Sequence, residues 1–395
     1  MNILFLLRLY PVYGGGETVT LCLANEMVKR GWNVSILYFK ENIKNQLPYI
    51  DPRINAVKIE NVNYGEFSTD KASELKSEQE KVHKFTVRFI NEHDIQIVMN
   101  QWWPLCFIKR LKAETKAKII KVNHTTLYAP IFDGTGLKAV LRRKFKKIYE
   151  IHKKRISLKV VTDTLPYVDR YVFLSPAFQK QYEDMAHYKN TGKLNAIPNP
   201  LVFDSFINAE KYAKKENIVL IVARMSEASK RITRALQAWS LVEKDPISTD
   251  WKLQIVGDGP DLSAYKQMAI DLNIQRVKFE GYQHPLAYYE KAKIFLMTSA
   301  IEGFGMTLIE SQQQGVVPIV MDTFLALHDI ITSEENGIIT PDNDIKSFAE
   351  AILALMQAPQ RLDKLAKAAI KSSEKFAISK IVDKWEELFQ ELFSH

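Results

Sequence analysis

The sequence predicts an α/β protein built from two parallel-sheet domains of near-equal size. Three observations predict it. At 395 residues the chain is too long for one ordinary core and sits comfortably at two. Short runs rich in Val, Ile, Leu and Phe alternate with amphipathic stretches of helical period, the signature of βαβ units. The alternation occurs twice, and its runs are almost continuously apolar, as in strands buried on both faces.

The first strand is expected over Asn2 to Leu7. Its short apolar run before Arg8 lacks a basic leader and a small-residue cleavage site, so it reads as a buried strand and not a secretory signal. A helix from about Glu17 to Arg30 returns from it. Further strands follow at Asn33 to Phe39, Ile95 to Asn100, Lys118 to Val122 and Tyr171 to Leu174, with a charge-rich surface helix over Ser68 to Lys84. In IPNPLVF, Pro198 and Pro200 interrupt both periodicities and mark a linker. The expected division is therefore 1–198 and 199–377, with a cleft at the join, and a final helix over 378–395. The second half places strands at Ile218 to Ala223, Lys252 to Val256, Val277 to Phe279, Ile294 to Met297 and Val317 to Val320. Three helices should then fill Ile345 to Glu391. The last carries Ile381, Trp385, Leu388 and Leu392 at helical spacing, a stripe suited to core packing.

Composition sets the outer bounds. With 46% apolar residues and scattered charge, no segment is apolar enough to span a bilayer. Cys22 and Cys106 stand far apart and outside any metal-ligand spacing, which argues against a disulfide framework or a zinc site and fits a reducing cytoplasm. The formal charge of +8 is concentrated between Lys138 and Lys159, where ten Lys and Arg meet the single acid Glu150. Interleaved with Leu141, Phe145, Ile148 and Ile151, that stretch suits an anionic membrane surface or a solvated basic helix with one packed face. Nucleic acid is the weakest partner, since no zinc-finger, RNP-type or helix-turn-helix pattern accompanies the charge.

The most informative stretch is IFLMTSAIEGFGMTLIESQQQG, Ile294 to Gly315. A buried strand runs into a loop with Glu302, Gly303, Phe304 and Gly305, and a helix begins near Met306 and stops at Gly315. Ligands of open parallel sheets bind beyond the carboxyl ends of the strands, where this loop lies. The glycines admit close backbone approach, and the free amides of Met306 and Thr307 at the helix start favour an anion. Glu310 can accept from a ribose diol and Glu302 from the hydroxyls of a sugar. The plain alternative is a tight turn with acids favoured by the helix dipole. Two acids bracketing the glycines directly after a buried strand favour the sugar-nucleotide reading.

IVLIVARMSEASKR, Ile218 to Arg231, runs from a strand into a loop with Arg224 and Lys230, cations able to neutralise a diphosphate leaving group or simply to be solvated. LQIVGDGP places Gly257 and Gly259 at another strand end, as ligand contacts or as an ordinary βα turn. In the first half, LYPVYGGGET sets Gly14, Gly15 and Gly16 between the first strand and its helix, a position for phosphate or acceptor approach. No acid ends the second strand, so a nicotinamide dinucleotide is poorly supported. His124, just after a strand in KVNHTT, is placed either as a cleft residue or as a hydrogen-bonded structural histidine.

Together "GGGE", "ARMSEASKR", "VGDGP", "EGFGMTLIE" and the terminal helix Ile378 to Phe393 resemble the retaining GT-B glycosyltransferases of family four over nearly the full length. The resemblance implies two Rossmann-like domains facing across a cleft, an N-terminal acceptor domain, a C-terminal nucleotide-sugar domain and a last helix that crosses back to the first. Position by position, it implies that Glu302 contacts the donor sugar and Glu310 the ribose. Arg224 and Lys230 would clamp the diphosphate, while Phe304, Gly305, Met306 and Thr307 supply amides. Gly281 and Tyr282 would face the base, and His124 the donor sugar. Thr125 follows His124 where many members have aspartate, and the Arg224 to Lys230 spacing is one residue longer than in many.

The implied reaction is sugar transfer to a glycan or lipid-linked acceptor, with the departing phosphate taking the proton and with no cofactor or metal. The lack of a DxD-type acid pair agrees with metal independence. The rival from another class is a catalytically silent GT-B partner subunit or glycan-binding protein, which should have lost the clamp or the glutamates. A pyridoxal-dependent phosphorylase would need a Schiff-base lysine motif, and none is seen.

Overall fold

The computed structural model describes residues 1–11, 15–41, 49–60, 62, 77–127, 141 and 144–394. Gly14, Lys138, Arg142, Arg143 and the part of the expected surface helix before Ser77 lie outside the described residues. The chain divides into two compact units. The first holds Met1–Tyr128, Ile151–Val202 and Ala377–His395, and the second holds Ala129–Glu150 and Phe203–Phe376.

The first unit is a seven-stranded parallel sheet. Its strands are β1 (Asn2–Leu6), β2 (Asn33–Tyr38), β3 (Asn55–Lys58), β4 (Ile97–Asn100), β5 (Lys118–Asn123), β6 (Arg170–Phe173) and β7 (Leu194–Ala196). They lie in the order β3-β2-β1-β4-β5-β6-β7. The central strands are apolar because helices cover both faces: Ile3, Phe5, Ile97, Met99, Ile119 and Val172 are all fully enclosed. The helix Ser77–Glu92 overlaps the expected surface helix and continues it, with Lys81, Lys84 and Arg88 exposed. Its Val82, His83, Thr86, Phe89 and Ile90 are buried, and His83 Nε2 meets Glu114 Oε2 at 2.9 Å, so the helix packs one face inward.

The second unit repeats the plan with six strands. They are β8 (Ile218–Val222), β9 (Lys252–Val256), β10 (Val277–Gly281), β11 (Ile294–Met297), β12 (Val317–Met321) and β13 (Ile338–Thr340), in the order β10-β9-β8-β11-β12-β13. All are parallel. In each sheet the first three strands step one way and the fourth returns to the other side of the first. The strand order therefore reverses between β1 and β4, and again between β8 and β11. These are the topological switch points, where diverging crossovers leave room for a ligand beyond the strand ends.

The helices Ile345–Gln357, Pro359–Ser373 and Ile378–Phe393 form as the apolar spacing requires. The last belongs to the first unit and packs on the helix Gly15–Lys29. Its Ile381, Val382, Trp385, Leu388, Phe389 and Leu392 are buried, and Trp32 meets Phe389 with ring centroids 5.6 Å apart. Arg30 donates to Asp383 Oδ1 at 2.7 Å, Glu386 Oε2 at 3.1 Å and the Ser379 carbonyl at 2.8 Å, fixing the helix along its polar edge.

Candidate functional site

A recess opens at the switch point of the second sheet, lined by Ala223, Lys230, Thr298, Ser299, Glu302 and Thr307 among others. The loop after β8 and the loop after β11 build it together. Ser226 starts a single helical turn, Glu227–Lys230, that ends at Arg231 in the left-handed region with φ 48°. Thr298 Oγ1 donates toward the carbonyls of both Lys230 and Arg231 at 3.0 Å, and the Ala300 amide donates to the Ser229 carbonyl at 2.8 Å. Arg231 itself is buried, giving Nε–H to the Thr298 carbonyl at 2.9 Å and a second bond to Asp342 Oδ1 at 2.6 Å. The two loops are thus one frame, pinned by Arg231 and Thr298, which no local sequence pattern marks.

On this frame Lys230 Nζ donates to Glu302 Oε1 at 2.6 Å, with the glutamate buried. The bond uses one of three ammonium hydrogens and one of two carboxylate oxygens. Donors for an anion and an acceptor for a hydroxyl therefore stand side by side. Gly305 follows with φ 99°, a conformation that favours glycine, and caps the helix Met306–Gln313. The amides of Met306 and Thr307 begin that helix without acceptors inside it, and Thr307 lines the recess together with Lys230. Phe304 is buried against Phe376, ring centroids 5.6 Å apart and edge-on, so only its backbone can serve a ligand.

Glu310 projects from the second turn of the same helix into a nearly closed environment, 8% exposed. Burial pushes its carboxyl up to about 7, against a hydrogen bond from Tyr289 that lowers it. Tyr289 sits in the helix Leu286–Lys291, and nothing in the sequence pattern marked it as the partner of Glu310.

The remaining candidates separate. Arg224 is exposed at the end of β8 and is not part of the recess lining. Gly257 has a packing reason to be glycine: a Cβ there would fall 1.9 Å from the Ala223 carbonyl oxygen, because the loop after β9 closes directly on the loop after β8. Met225 and Asp258 bond across that contact at 2.9 Å. Tyr282 is 55% exposed just beyond β10, after Gly281 with φ 70°.

His124, Gly15 and Gly16 lie in the first unit, at the carboxyl ends of β5 and β1. The His124 ring stacks on Trp102 at 5.0 Å, bonds through Nε2 to Gln101 Oε1, and leaves Nδ1 buried without a partner. A Cβ at Gly16 would meet Trp102 at 2.9 Å, so the glycine allows the aromatic pair to close over the helix start. Burial, and then the charge of Lys121, push the imidazole down to about 3. Among the described residues no three His, Cys, Asp or Glu side chains gather to hold a metal ion.

Two Rossmann-like sheets, with an anion-ready helix start and paired Lys and Glu at the second switch point, define a GT-B protein. The sequence matches the profile of glycosyltransferase family 4 over residues 13–204 and that of glycosyl transferases group 1 over 202–372. The chain belongs to this glycosyltransferase family. It is 23% identical over 376 residues to an uncharacterized glycosyltransferase of Haemophilus influenzae, covering 94% of this chain and 95% of that one. It is 30% identical over 235 residues to an exopolysaccharide phosphotransferase of Streptomyces coelicolor, covering 58% of this chain and 24% of that one. A lipopolysaccharide 1,6-galactosyltransferase of Escherichia coli matches at 29% over 187 residues, 46% of this chain and 50% of that one. The chain thus spans half or less of the length of the latter two. Among solved structures, TarM of S. aureus superposes with a TM-score of 0.73 at 17% identity, 98% of each chain covered. Anabaena HepE in complex with UDP gives 0.72 at 16% identity, covering 99% of this chain and 100% of that one. Among the described residues no helix is long and apolar enough to cross a membrane.

Proposed function

We propose that this glycosyltransferase moves a sugar from a nucleotide-sugar donor, with retention at the anomeric carbon and without a metal, to a glycan or lipid-linked acceptor of cell-surface polysaccharide or lipopolysaccharide synthesis. The observation that carries the donor reading is the Lys230–Glu302 pair, 2.6 Å apart beside the start of the helix Met306–Gln313. In this reading the diphosphate lies on the amides of Met306 and Thr307 and takes charge from Lys230, aided by the exposed Arg224 at the end of β8. Glu302 keeps its second oxygen for a donor-sugar hydroxyl, and Glu310 accepts from the ribose. The anomeric carbon–phosphate oxygen bond breaks as the acceptor oxygen bonds to the same carbon from the same face. The acceptor's proton passes to the departing phosphate, so no carboxylate base is needed.

The acceptor class is supported by the functions named for relatives in lipopolysaccharide and exopolysaccharide synthesis. It is supported also by the exposed cations Lys147, Lys154, Arg155 and Lys159 of the helix Lys146–Thr164, which an anionic membrane surface, where lipid-linked acceptors reside, would attract.

The test is a binding and slow-hydrolysis screen of UDP-, GDP-, ADP- and dTDP-sugars on the wild type, Glu302→Ala and Lys230→Ala. One nucleotide sugar should bind saturably, Lys230→Ala should weaken it by about tenfold or more, and either change should abolish hydrolysis. A folded wild type that binds none of them would instead identify a silent partner subunit. Activity lost entirely in EDTA would overturn metal independence.

A further inference from the structure

The Tyr289 hydroxyl stands 3.2 Å from Glu310 Oε2 and 3.2 Å from the Thr307 carbonyl oxygen. A phenol has one hydrogen to give, while a carbonyl and a carboxylate have none. With Glu310 ionised, that hydrogen satisfies one oxygen and leaves the other facing a lone pair. With Glu310 protonated, Oε2–H donates to the phenol oxygen and the phenol donates to Thr307, so both contacts become hydrogen bonds. Burial of the carboxyl acts in the same direction.

Among the described residues no neighbouring charge reverses this: on the helix Pro359–Ser373, which packs against Met306–Gln313, Asp363 is paired with Lys367 at 2.8 Å and Lys371 with Glu374 at 3.0 Å. Lys215, behind Tyr289, gives its ammonium hydrogens to the carbonyls of Tyr289 and Ala292 at 2.8 and 2.7 Å. Glu290, on the helix of Tyr289, is paired with Lys211 at 2.5 Å. The helix Met306–Gln313 has no charged residue besides Glu310. Phe203 and Phe295 flank the phenol with ring centroids 5.9 and 6.0 Å away.

We infer that Glu310 rests protonated while the site is empty, with Tyr289 as the positioning residue that accepts its hydrogen and passes its own to Thr307, and that a nucleoside diphosphate binds by displacing the Glu310 proton. The inference rests on the reading of Glu310 as the ribose acceptor. On binding, the Glu310 O–H bond breaks and the proton leaves to solvent. The carboxylate then accepts from the ribose diol, and the Tyr289 hydrogen turns from Thr307 to the carboxylate.

The experiment is calorimetric titration with UDP, GDP and ADP as probes, in two buffers of unlike ionisation enthalpy, from about pH 6 to 8.5. The diphosphate's own ionisation is common to every variant, so the comparison of wild type with Glu310→Gln isolates this proton. The wild type should release up to about one proton more than Glu310→Gln at the acid end. Its affinity relative to Glu310→Gln should fall about tenfold per pH unit below the midpoint. An infrared carboxylic-acid band should disappear as nucleotide is added to the wild type and be missing in Glu310→Gln. Tyr289→Phe removes a charge-assisted donor to the ionised form, so the midpoint should move to higher pH. A packing role alone would lower affinity by one factor at every pH. If Tyr289→Phe fails to fold, wild type against Glu310→Gln still decides the proton. Nucleotide binding with equal proton release in those two proteins overturns the inference and leaves the donor site standing. A folded wild type that binds none of the three probes overturns both.

Discussion

The imidazole of His124 is stacked on Trp102, bonded to Gln101 and crowded by Gly16, a setting in which a positive ring has no acid to answer it. Its pKa is pushed down to about 3, by burial first and Lys121 second. The sign of the consequence follows from linkage. An unfolded histidine takes up a proton near about 6.5 and the folded one does not, so stability is intact above that pH and declines as pH falls toward the folded value. His124→Asn should therefore flatten the acid side of the stability curve. The wild type should lose about 1–2 kcal/mol more than the variant between roughly pH 7.5 and 5, measured as urea midpoints. At and beside the recess, the residues that carry charge were legible because Glu302, Lys230 and Glu310 fall at strand ends and in the first turns of a helix. Tyr289, Arg231 and Thr298 were not, since each acts through a partner distant in sequence, and no local pattern encodes that partnership.

Elements were legible in proportion to their length and burial. The long central strands announce themselves through apolar runs such as ILFLL and IVLIV. The missed strands, NAVK of β3, LNA of β7 and IIT of β13, are three or four residues long and lie at the outer edges of their sheets. There one flank lacks a partner and the hydrophobic demand relaxes. The glutamines 312–314 are polar yet all three are buried, and Gln313 and Gln314 donate to the carbonyls of Phe203 and Ser205 at 2.9 Å. The helix Lys146–Thr164 stands apart from its neighbours in kind. Ile148 is 66% exposed, and Phe145, Ile151, Ile156 and Val160 are exposed with it, among Lys147, Lys154, Arg155 and Lys159. Exposed cations interspersed with exposed apolar side chains suit an anionic surface through charge first. The full chain should float with liposomes containing anionic lipid and not with neutral ones, and the binding should weaken with salt. Ile148→Glu with Ile151→Glu should abolish flotation; equal recovery with neutral vesicles would remove the membrane argument.

Across the whole molecule, the same order of the first four strands was laid down twice, and each copy has its own switch point. The doubling was visible in the sequence because the alternation of strands and helices restarts after Pro200. The return of the helix Ile378–Phe393 to the first unit was legible only through the family resemblance, since its apolar stripe specifies burial and not a partner. Trp385 is buried in that seam. Trp385→Ala should cost about 3–5 kcal/mol, and hydrogen exchange should localise the loss to the first unit, around Gly15–Lys29, while the second unit stays protected. The seam also orders events during synthesis. The run Phe203–Phe376 can close its sheet as soon as it leaves the ribosome, whereas the unit begun at Met1 must wait for residues translated after that run. The half made first is the half finished last. A nascent chain stalled before Ile378 would present an unpaired apolar flank on Gly15–Lys29, the kind of surface that chaperones hold.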